Sequence, residues 1–318
     1  MADIVGLGTP VMDLLINLPS MPQGDGFLRA EGIFHQGGGK AATGMAAAAR
    51  LGASAGMMAK VGGDYTGDFI IGDFIYNGVD VSRVIRGDPH TGSPYCISVS
   101  ARDTGSRCFI SKYRQNAVSH MSADELDYSY LAAAKALLIE SGDPAPAAAA
   151  KYCKDNHIPV CIDADGYSRE IEDLLPCIDI FIGSEFYFKK RFEGCSLISA
   201  CESVREAGPE TVWFTLGAEG CFGLICGKQT VIPAYSVPVK DTTGAGDVFH
   251  GAYLAEMLTG APPEECARFA SAAAAIKCMF VGGRTGIPTR EIAERFIREK
   301  TVDMNAYEER IRYYQNNV

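Results

Sequence analysis

The most informative stretch of the chain is Val239-Lys240-Asp241-Thr242-Thr243-Gly244-Ala245-Gly246-Asp247-Val248-Phe249-His250-Gly251. An extended run with prolines precedes it, and an apolar-periodic segment over residues 248–258 predicts a helix after it. Glycines let backbone N–H groups approach a ligand closely, and a helix N-terminus carries a partial positive charge. The turn from Gly244 to Gly246 therefore predicts a binding place for an anion such as phosphate.

Asp247 ends this turn and has two interpretations. Aspartate is a favoured N-cap, so the residue can simply cap the helix that follows. A carboxylate would repel a phosphate, so the residue can instead be a base that takes the proton from an acceptor hydroxyl beside the phosphate. The helix N-terminus is expected to keep this carboxylate ionised at neutral pH.

The composition is ordinary for a soluble globular enzyme. The 318 residues are 47% hydrophobic and 21% charged, which suits one large α/β domain or a domain with an insertion. The net charge of −10, without a Lys/Arg run, argues against nucleic acid or anionic lipid as a partner. We expect no signal peptide or membrane span, and eleven cysteines without a Cys-x-x-Cys pair predict reduced, buried thiols in a cytoplasmic protein.

The order of apolar runs predicts an α/β fold. Residues 4–7 predict a short strand that residues 11–18 continue, and strands alternate with helices from residue 136 to 216. Such alternation implies a parallel sheet with helices on both faces and with ligands beyond the carboxyl ends of its strands. Strand-like runs at residues 95–101 and 107–113 are expected outside this sheet, and residues 302–318 predict a peripheral helix.

Two features near the N-terminus are chemically suggestive. Asp13 stands among apolar residues, so it belongs either to a structural network or to a site for ligand hydroxyls. Gly37-Gly38-Gly39 precedes an Ala-rich helix and predicts a close backbone approach to a small ligand, or a hinge. Gly39-Lys40 is not a P-loop, because the first glycine and the Ser/Thr of that motif are missing.

The run Asp-Thr-Thr-Gly-Ala-Gly-Asp resembles the C-terminal signature of the ribokinase-like (PfkB) carbohydrate kinases. The resemblance covers nearly the whole chain, since the Gly37–Gly39 segment, the Gly63-Asp64 turn, the Thr215–Gly217 segment and the Gly282–Gly283 loop also look like family motifs. It implies a single domain, 1–318, with a three-layer αβα sandwich, a mostly parallel central sheet and a small β-strand lid from about residues 17–36 and 91–117. It also implies ATP and Mg²⁺ as co-substrates and a homodimer formed through the lid.

Matched to the family's motifs residue by residue, the resemblance assigns roles. Asp247 looks like the catalytic base, and the N–H groups of Gly244, Ala245 and Gly246 look like its anion hole. The acceptor side is similar at Asp13, Gly38 and Gly39. The nucleotide side is similar at Ser184, Thr215, Gly217, Gly220 and Gly283. Asp241 and Thr243 match backbone-mediated contacts of a monovalent cation (K⁺) site that some members use.

The chain departs from the family pattern at two places. Thr43 stands where many members carry an acceptor-binding Asn, which leaves the sugar specificity open. The family's Asn-x-x-Glu motif aligns with residues 184–187, where the acid is missing. Either Glu185 or Asp165 takes over the Mg²⁺ contact, or both are turn residues.

These features predict a kinase that phosphorylates a hydroxymethyl group of a small sugar. A ketose is favoured, because the Gly-Gly-Gly-x-Ala-Ala-Thr variant also resembles a ketose- and sulfosugar-kinase branch. A nucleoside or an acidic sugar is the alternative, and Arg29, Lys112 and Arg114 are candidate lid cations for the latter. A non-catalytic sugar or nucleotide sensor on the same fold is the alternative of another class.

Overall fold

The computed structural model describes residues 1–104, 106–111 and 116–316. The strands in these ranges are β1 Ile4–Leu7, β2 Val11–Leu18, β3 Gly32–Gly38, β4 Ala55–Val61, β5 Asp80–Arg86, β6 Tyr95–Ala101, β7 Arg107–Ser111, β8 Ala136–Ile139, β9 Val160–Ala164, β10 Ile180–Ser184, β11 Thr211–Thr215, β12 Cys221–Ile225 and β13 Lys228–Ile232. The α-helices are α1 Lys40–Arg50, α2 Tyr65–Tyr76, α3 Tyr128–Ala132, α4 Pro144–Asp155, α5 Arg169–Leu174, α6 Glu185–Arg191, α7 Leu197–Glu206, α8 Ala245–Met257, α9 Pro263–Cys278, α10 Arg290–Glu299 and α11 Glu308–Gln315.

The central sheet confirms the expected parallel architecture. Within the described ranges it has nine strands in the order β13-β12-β11-β10-β9-β8-β1-β4-β5. Neighbours from β11 to β5 pair in parallel, and the hairpin of β12 and β13 adds an antiparallel edge. The carboxyl ends of the parallel strands therefore share one side of the sheet, where the turns with polar residues lie.

Helices cover both faces of this sheet and form the outer layers of an αβα sandwich. One apolar core lies between the sheet and α1, α2, α8, α9 and α10, and it contains Met45, Phe249 and Ile276. The other lies under α3 to α7 and contains Phe181 and Phe214. Helices α1 and α8 approach closely, which the lack of a side chain at Gly251 permits. A Cβ at this position would overlap the carbonyl oxygen of Gly44. This contact brings the two helix N-termini of the predicted site together.

A second sheet stands apart from the first, and we call it the lid sheet. Within the described ranges its order is β3-β2-β6-β7. Strand β2 was expected to continue β1, and this was wrong, because β2 pairs with β3 and β6 instead. Gly8, Thr9 and Pro10 separate β1 from β2, and a proline cannot donate to a sheet ladder. The chain therefore leaves the central sheet at this point.

Two further expectations also need correction. Strand β5 at the edge of the central sheet was not predicted, because most of its residues are only half-buried and its pattern is weak. The C-terminal helix α11 is not peripheral, since Tyr314 is buried and the guanidinium of Arg310 donates to Asn77 Oδ1 at 2.9 Å and to the carbonyl of Arg284 at 2.6 Å. Helix α11 thus closes the core beside β3.

The sequence predicted reduced, buried cysteines and no membrane-spanning helix. All eleven cysteines lie in the described ranges as free thiols, and those at 153, 161, 201, 221, 266 and 278 are buried. The expectation of burial is wrong for the other five, since those at 96 and 177 are half-buried and those at 108, 195 and 226 are exposed. In the part of the chain that the structure describes, the helices are too short or too polar for any of them to cross a membrane.

Candidate active site

The turn before α8 has the geometry of an anion cradle. Gly244 is the N-cap of α8 with φ 73°, a left-handed conformation that favours glycine. A Cβ at this position would lie 2.9 Å from Gly283 Cα, so the two backbones pass in contact. Val248 N–H donates to Gly244 O at 2.9 Å, whereas Ala245 N–H turns back to Thr242 O at 3.2 Å. Of the three predicted anion-hole donors, Ala245 is therefore engaged within the turn, while Gly246 lies exposed in the first turn of the helix.

Asp247 is the third residue of α8 and does not cap it. The capping interpretation is wrong, since the helix begins two residues earlier and Gly244 is its N-cap. Burial raises the pKa of Asp247 well above its usual range, the carboxylate of Asp163 raises it further, and the Lys40 ammonium opposes this. The surroundings of Asp247 thus act against the charge-stabilising effect expected of the helix N-terminus. A carboxylate with a raised pKa is a stronger base, as proton abstraction requires.

Two residues that the sequence reasoning missed lie beside Asp247. Glu140 follows β8 and is held by N–H groups, from Thr9 to Oε1 at 2.8 Å and from Ala41 to Oε2 at 2.7 Å. Lys40, which had been considered only as part of a P-loop, donates to Glu140 O at 3.1 Å. Burial lowers the pKa of Lys40, but the carboxylates of Asp163 and Glu140 more than offset this. The position of Glu140 after an apolar parallel strand was the available signal.

A cavity of about 480 Å³ lies between the central sheet and the lid sheet. The core lines it with Gly8, Thr9, Lys40 and Glu140, and the lid lines it with Tyr95, Cys96 and Ser111 among others. Its volume suits a small molecule. Arg29 does not line this cavity, and Lys112 and Arg114 lie outside the described residues.

Asp13 on β2 faces Gly38 on β3, where a side chain would overlap the Asp13 carboxylate. Burial raises the pKa of Asp13 to about 7, against the opposing charge of Arg284. Arg284 forms a buried ion pair with Asp73 and donates to the carbonyl oxygen of Gly38 at 3.3 Å. Asp13 therefore belongs to a charged network that also contacts the backbone of Gly38, and a role toward ligand hydroxyls stays a prediction.

Thr43 and Gly39 lie at the start of α1. Gly39 is the N-cap with φ 91°, and its carbonyl accepts the N–H of Thr43 at 2.8 Å. Thr43 is buried, and a Cβ at Gly283 would lie 3.9 Å from its Cγ2 methyl. Thr43 thus packs beside the Gly244–Gly283 contact, and an acceptor role for its hydroxyl stays a prediction.

A second cavity, of about 450 Å³, borders the turn. Three predicted nucleotide-side residues, Thr215, Gly217 and Gly220, line it together with Ala245 and Gly246 of the anion turn. Gly283 instead touches the turn through Gly244. Phe249, Tyr235 and Ala274 add apolar surface of the kind that receives an aromatic base.

The candidate metal ligands are differently placed. Ser184, predicted on the nucleotide side, does not line the second cavity. It caps α6 and accepts from the N–H groups of Phe186 and Tyr187 at 3.0 and 3.1 Å, so its hydroxyl is engaged. Glu185 is 43% exposed and pairs with Lys189 at 2.5 Å. Asp165 is exposed at the carboxyl end of β9, and its charge raises the pKa values of Lys40 and Asp247. In the described ranges no three His, Cys, Asp or Glu side chains cluster around a metal position, but Mg²⁺ commonly uses one or two carboxylates together with substrate phosphates.

The residues around Asp241 do not fit a bound monovalent cation. The carbonyl oxygen of Asp241 accepts a hydrogen bond from the Lys277 ammonium at 2.7 Å. The hydroxyl of Thr243 accepts one from Arg107 of the lid sheet at 3.3 Å. Each of the two predicted ligands thus already contacts a positively charged side chain.

The turn before α8 thus borders the second cavity, and Asp247 in the same helix interacts with Lys40 and Glu140, which line the first. Residues 1–290 match the model of the pfkB family carbohydrate kinases, and the chain belongs to this family. The protein is a phosphotransferase of the sugar and nucleoside kinase class that acts on an alcohol group.

Individual relatives agree with this assignment. The chain is 29% identical over 300 residues to a ribokinase of Haemophilus influenzae, covering 92% of this chain and 97% of the relative. It is 27% identical over 305 residues to a nucleoside kinase of Methanothermobacter thermautotrophicus, covering 92% and 95%. The structure of Arabidopsis thaliana ribokinase with ribose and ATP has the same fold, with a TM-score of 0.78 and 23% identity over 93% of this chain and 99% of that one.

Proposed function

We propose that the protein transfers the γ-phosphoryl group of ATP to a hydroxymethyl group of a small neutral sugar, with a fructose-like ketose as the favoured acceptor. The observation that carries the proposal is the position of Asp247. It directly follows Ala245 and Gly246, which line one cavity, and it interacts electrostatically with Lys40 and Glu140, which line the other. A base in this position serves a hydroxyl in the first cavity and a phosphate in the second.

In the proposed reaction, Asp247, the N–H groups at the start of α8 and Lys40 have separate roles. Asp247 takes the proton of the acceptor hydroxyl, whose oxygen attacks the γ-phosphorus while the bond to the bridging oxygen breaks and ADP leaves. The N–H groups of Gly244 and Gly246 stabilise the charge on the transferring phosphoryl. The N–H group of Ala245 joins them when it leaves its hydrogen bond to Thr242 O. The ammonium of Lys40 reduces the electrostatic repulsion among the carboxylates of Asp163, Glu140 and Asp247.

Mg²⁺ enters the proposal as the co-substrate ion of ATP. When bound, it neutralises phosphate charge during transfer. Asp165 is the better candidate for a water-mediated contact, since its carboxylate lies near Lys40 and Asp247, whereas Glu185 is paired with Lys189.

The acceptor is proposed from the carboxyl groups near the first cavity. Glu140 lines this cavity, and Asp13 lies on β2 of the lid sheet. Carboxyl groups accept hydrogen bonds from hydroxyls such as those of a neutral sugar. The ketose preference rests on the Gly-Gly-Gly-x-Ala-Ala-Thr segment, in which Thr43 is shorter than the usual Asn. A nucleoside stays the second candidate, because one relative is a nucleoside kinase.

We also propose a homodimer that forms through the lid sheet. The lid sheet exposes Phe109 at 57%, Ile110 at 53% and Ile33 at 45% of their accessible areas. All residues of the edge strand β7 are exposed, and an exposed apolar edge is a place where another chain can add. Sedimentation of the protein and of an Ile110→Lys variant tests this, since a dimer held by this surface dissociates in the variant.

A coupled ADP-release assay across fructose, other ketoses, ribose, other aldoses and nucleosides tests the function. The expected result is turnover with a ketose at the highest kcat/KM. Highest activity with ribose or a nucleoside would keep the kinase and overturn the ketose preference. Sugar or ATP binding by calorimetry with no turnover across the whole panel would instead indicate a sensor.

A further inference from the structure

The place expected to bind a monovalent cation is occupied by a side chain of the protein itself. Lys277 is the second-last residue of α9 and has no exposed surface. Its ammonium donates to the backbone carbonyl of Asp241 at 2.7 Å. Asp241 opens the turn that leads through Gly244 to Asp247, so a positive charge sits at the base of the predicted anion cradle.

The Asp241 carboxylate balances this charge and fixes the turn. Its Oδ1 accepts the N–H of Thr243 and its Oδ2 accepts the N–H of Gly282, each at 2.8 Å. The N–H of Asp241 and that of Lys240 both donate to Cys278 O, at 3.2 and 2.8 Å. The end of α9, the following loop and the anion turn are therefore held together around one ammonium and one carboxylate.

A buried ammonium needs such partners, because an isolated charge in a protein interior is strongly unfavourable. Burial lowers the pKa of Lys277, and the Asp241 carboxylate opposes this. The second expected ligand, Thr243, accepts from Arg107 at 3.3 Å. An added K⁺ at this place would be repelled by both side chains.

We infer that the Lys277 ammonium supplies the positive charge that a bound potassium ion would supply at the anion turn, so that phosphoryl transfer here does not depend on K⁺. Lysine offers a compact single charge on a flexible stem, which suits this replacement. A fixed charge at this position stabilises the developing phosphoryl charge without reorganisation. The catalytic part of this inference rests on the proposed function, but the binding part does not.

The first experiment measures the unmodified protein in KCl, NaCl and tetramethylammonium chloride at equal ionic strength. The inference predicts the same kcat and the same thermal midpoint in all three salts. An activation or a rise in the thermal midpoint that only K⁺ produces would overturn it. The thermal measurement needs no substrate, so it decides the inference even if every acceptor in the panel fails.

The second experiment removes the ammonium. Lys277→Met keeps the length of the side chain and should lower kcat about 10²-fold, the scale of losing one transition-state donor. Lys277→Ala leaves space for an ion, so K⁺ or NH₄⁺ should raise its thermal midpoint and restore part of its rate, whereas tetramethylammonium should not. Lys240→Met is the matched control, because Lys240 is the exposed neighbour of Asp241, and its rate and midpoint should stay unchanged.

The outcomes separate cleanly. Full activity and stability in Lys277→Met would show that the ammonium has no role and would overturn the inference, as would a Lys277→Ala variant that folds but does not respond to K⁺ or NH₄⁺. If both variants fail to fold, the salt comparison on the unmodified protein decides alone. If the unmodified protein has no kinase activity in any salt, the proposed function fails, while the thermal midpoints still test the site.

Discussion

Replacement of Asp247 by asparagine tests the proposed mechanism most directly. The amide keeps the size of the side chain but cannot accept the hydroxyl proton. Loss of a general base costs about 10²–10⁴ in rate, which corresponds to about 2.7–5.4 kcal/mol of activation free energy. The affinity for ATP should hold or rise slightly, because one negative charge near the phosphates is removed.

The structure also predicts the effect on stability. The helix cap is Gly244, so no capping hydrogen bond is lost. Burial and the carboxylate of Asp163 raise the pKa of Asp247, and a carboxyl group with a raised pKa stabilises the fold while protonated. That stabilisation is present below its unfolded pKa and is lost as the pH rises through the folded pKa. The Asn variant avoids this loss, so its thermal midpoint should equal that of the parent at low pH and equal or exceed it at about pH 8.

The assay is kcat by ADP release, with the thermal midpoint on the same preparation at about pH 5 and about pH 8. Glu291→Gln is the matched control, since Glu291 is an exposed acid in the first turn of α10 and tests the effect of the helix dipole alone. A near-full kcat in Asp247→Asn would refute the base role. A variant that is inactive only because it has unfolded would return Asp247 to a structural role.

The remaining predictions concern the surroundings of this base. Lys40→Met should move the acid limb of the pH profile of kcat/KM to higher pH, because Lys40 lowers the pKa of Asp247; an unmoved limb would contradict this. Thr43→Asn should redistribute kcat/KM among acceptors by about 1–3 kcal/mol at a nearly constant KM for ATP, and an unchanged acceptor profile would leave Thr43 a packing residue. Asp165→Asn should raise the Mg²⁺ concentration for half-maximal rate, more than Glu185→Gln, whose side chain pairs with a lysine; if neither changes it, both acids are structural.

Much of the site could be predicted from local sequence. The anion turn and Asp247 are adjacent in the chain, and glycine spacing before a helix has a direct physical meaning. The spacing of apolar residues differs between strands and helices, so the two kinds of element could be told apart along the chain. Their regular alternation then indicated the parallel sheet. The boundary of α8 was missed by three residues, since Gly244 and Gly246 hide the apolar pattern of its first turn.

Other features depend on groups that are far apart in the chain. Glu140 and Lys40 meet only because β8 ends and α1 begins at the same side of the sheet. Strand β2 belongs to the lid sheet because it pairs with β3 and β6. The pattern of apolar residues in a strand does not by itself specify which strand it pairs with.

The sequence by itself determined the family and the αβα architecture and indicated Asp247 as the candidate base, because each depends on a contiguous motif or on a local period of apolar residues. Only the tertiary structure decided the electrostatic environment of Asp247 and the contacts of the predicted cation site. The raised pKa of Asp247 comes from burial and from the carboxylate of Asp163, which lies on strand β9. Lys277 contacts Asp241, which is 36 residues away in the chain. Electrostatic interactions depend on distance and burial in space, and neither can be read from the order of residues along the chain.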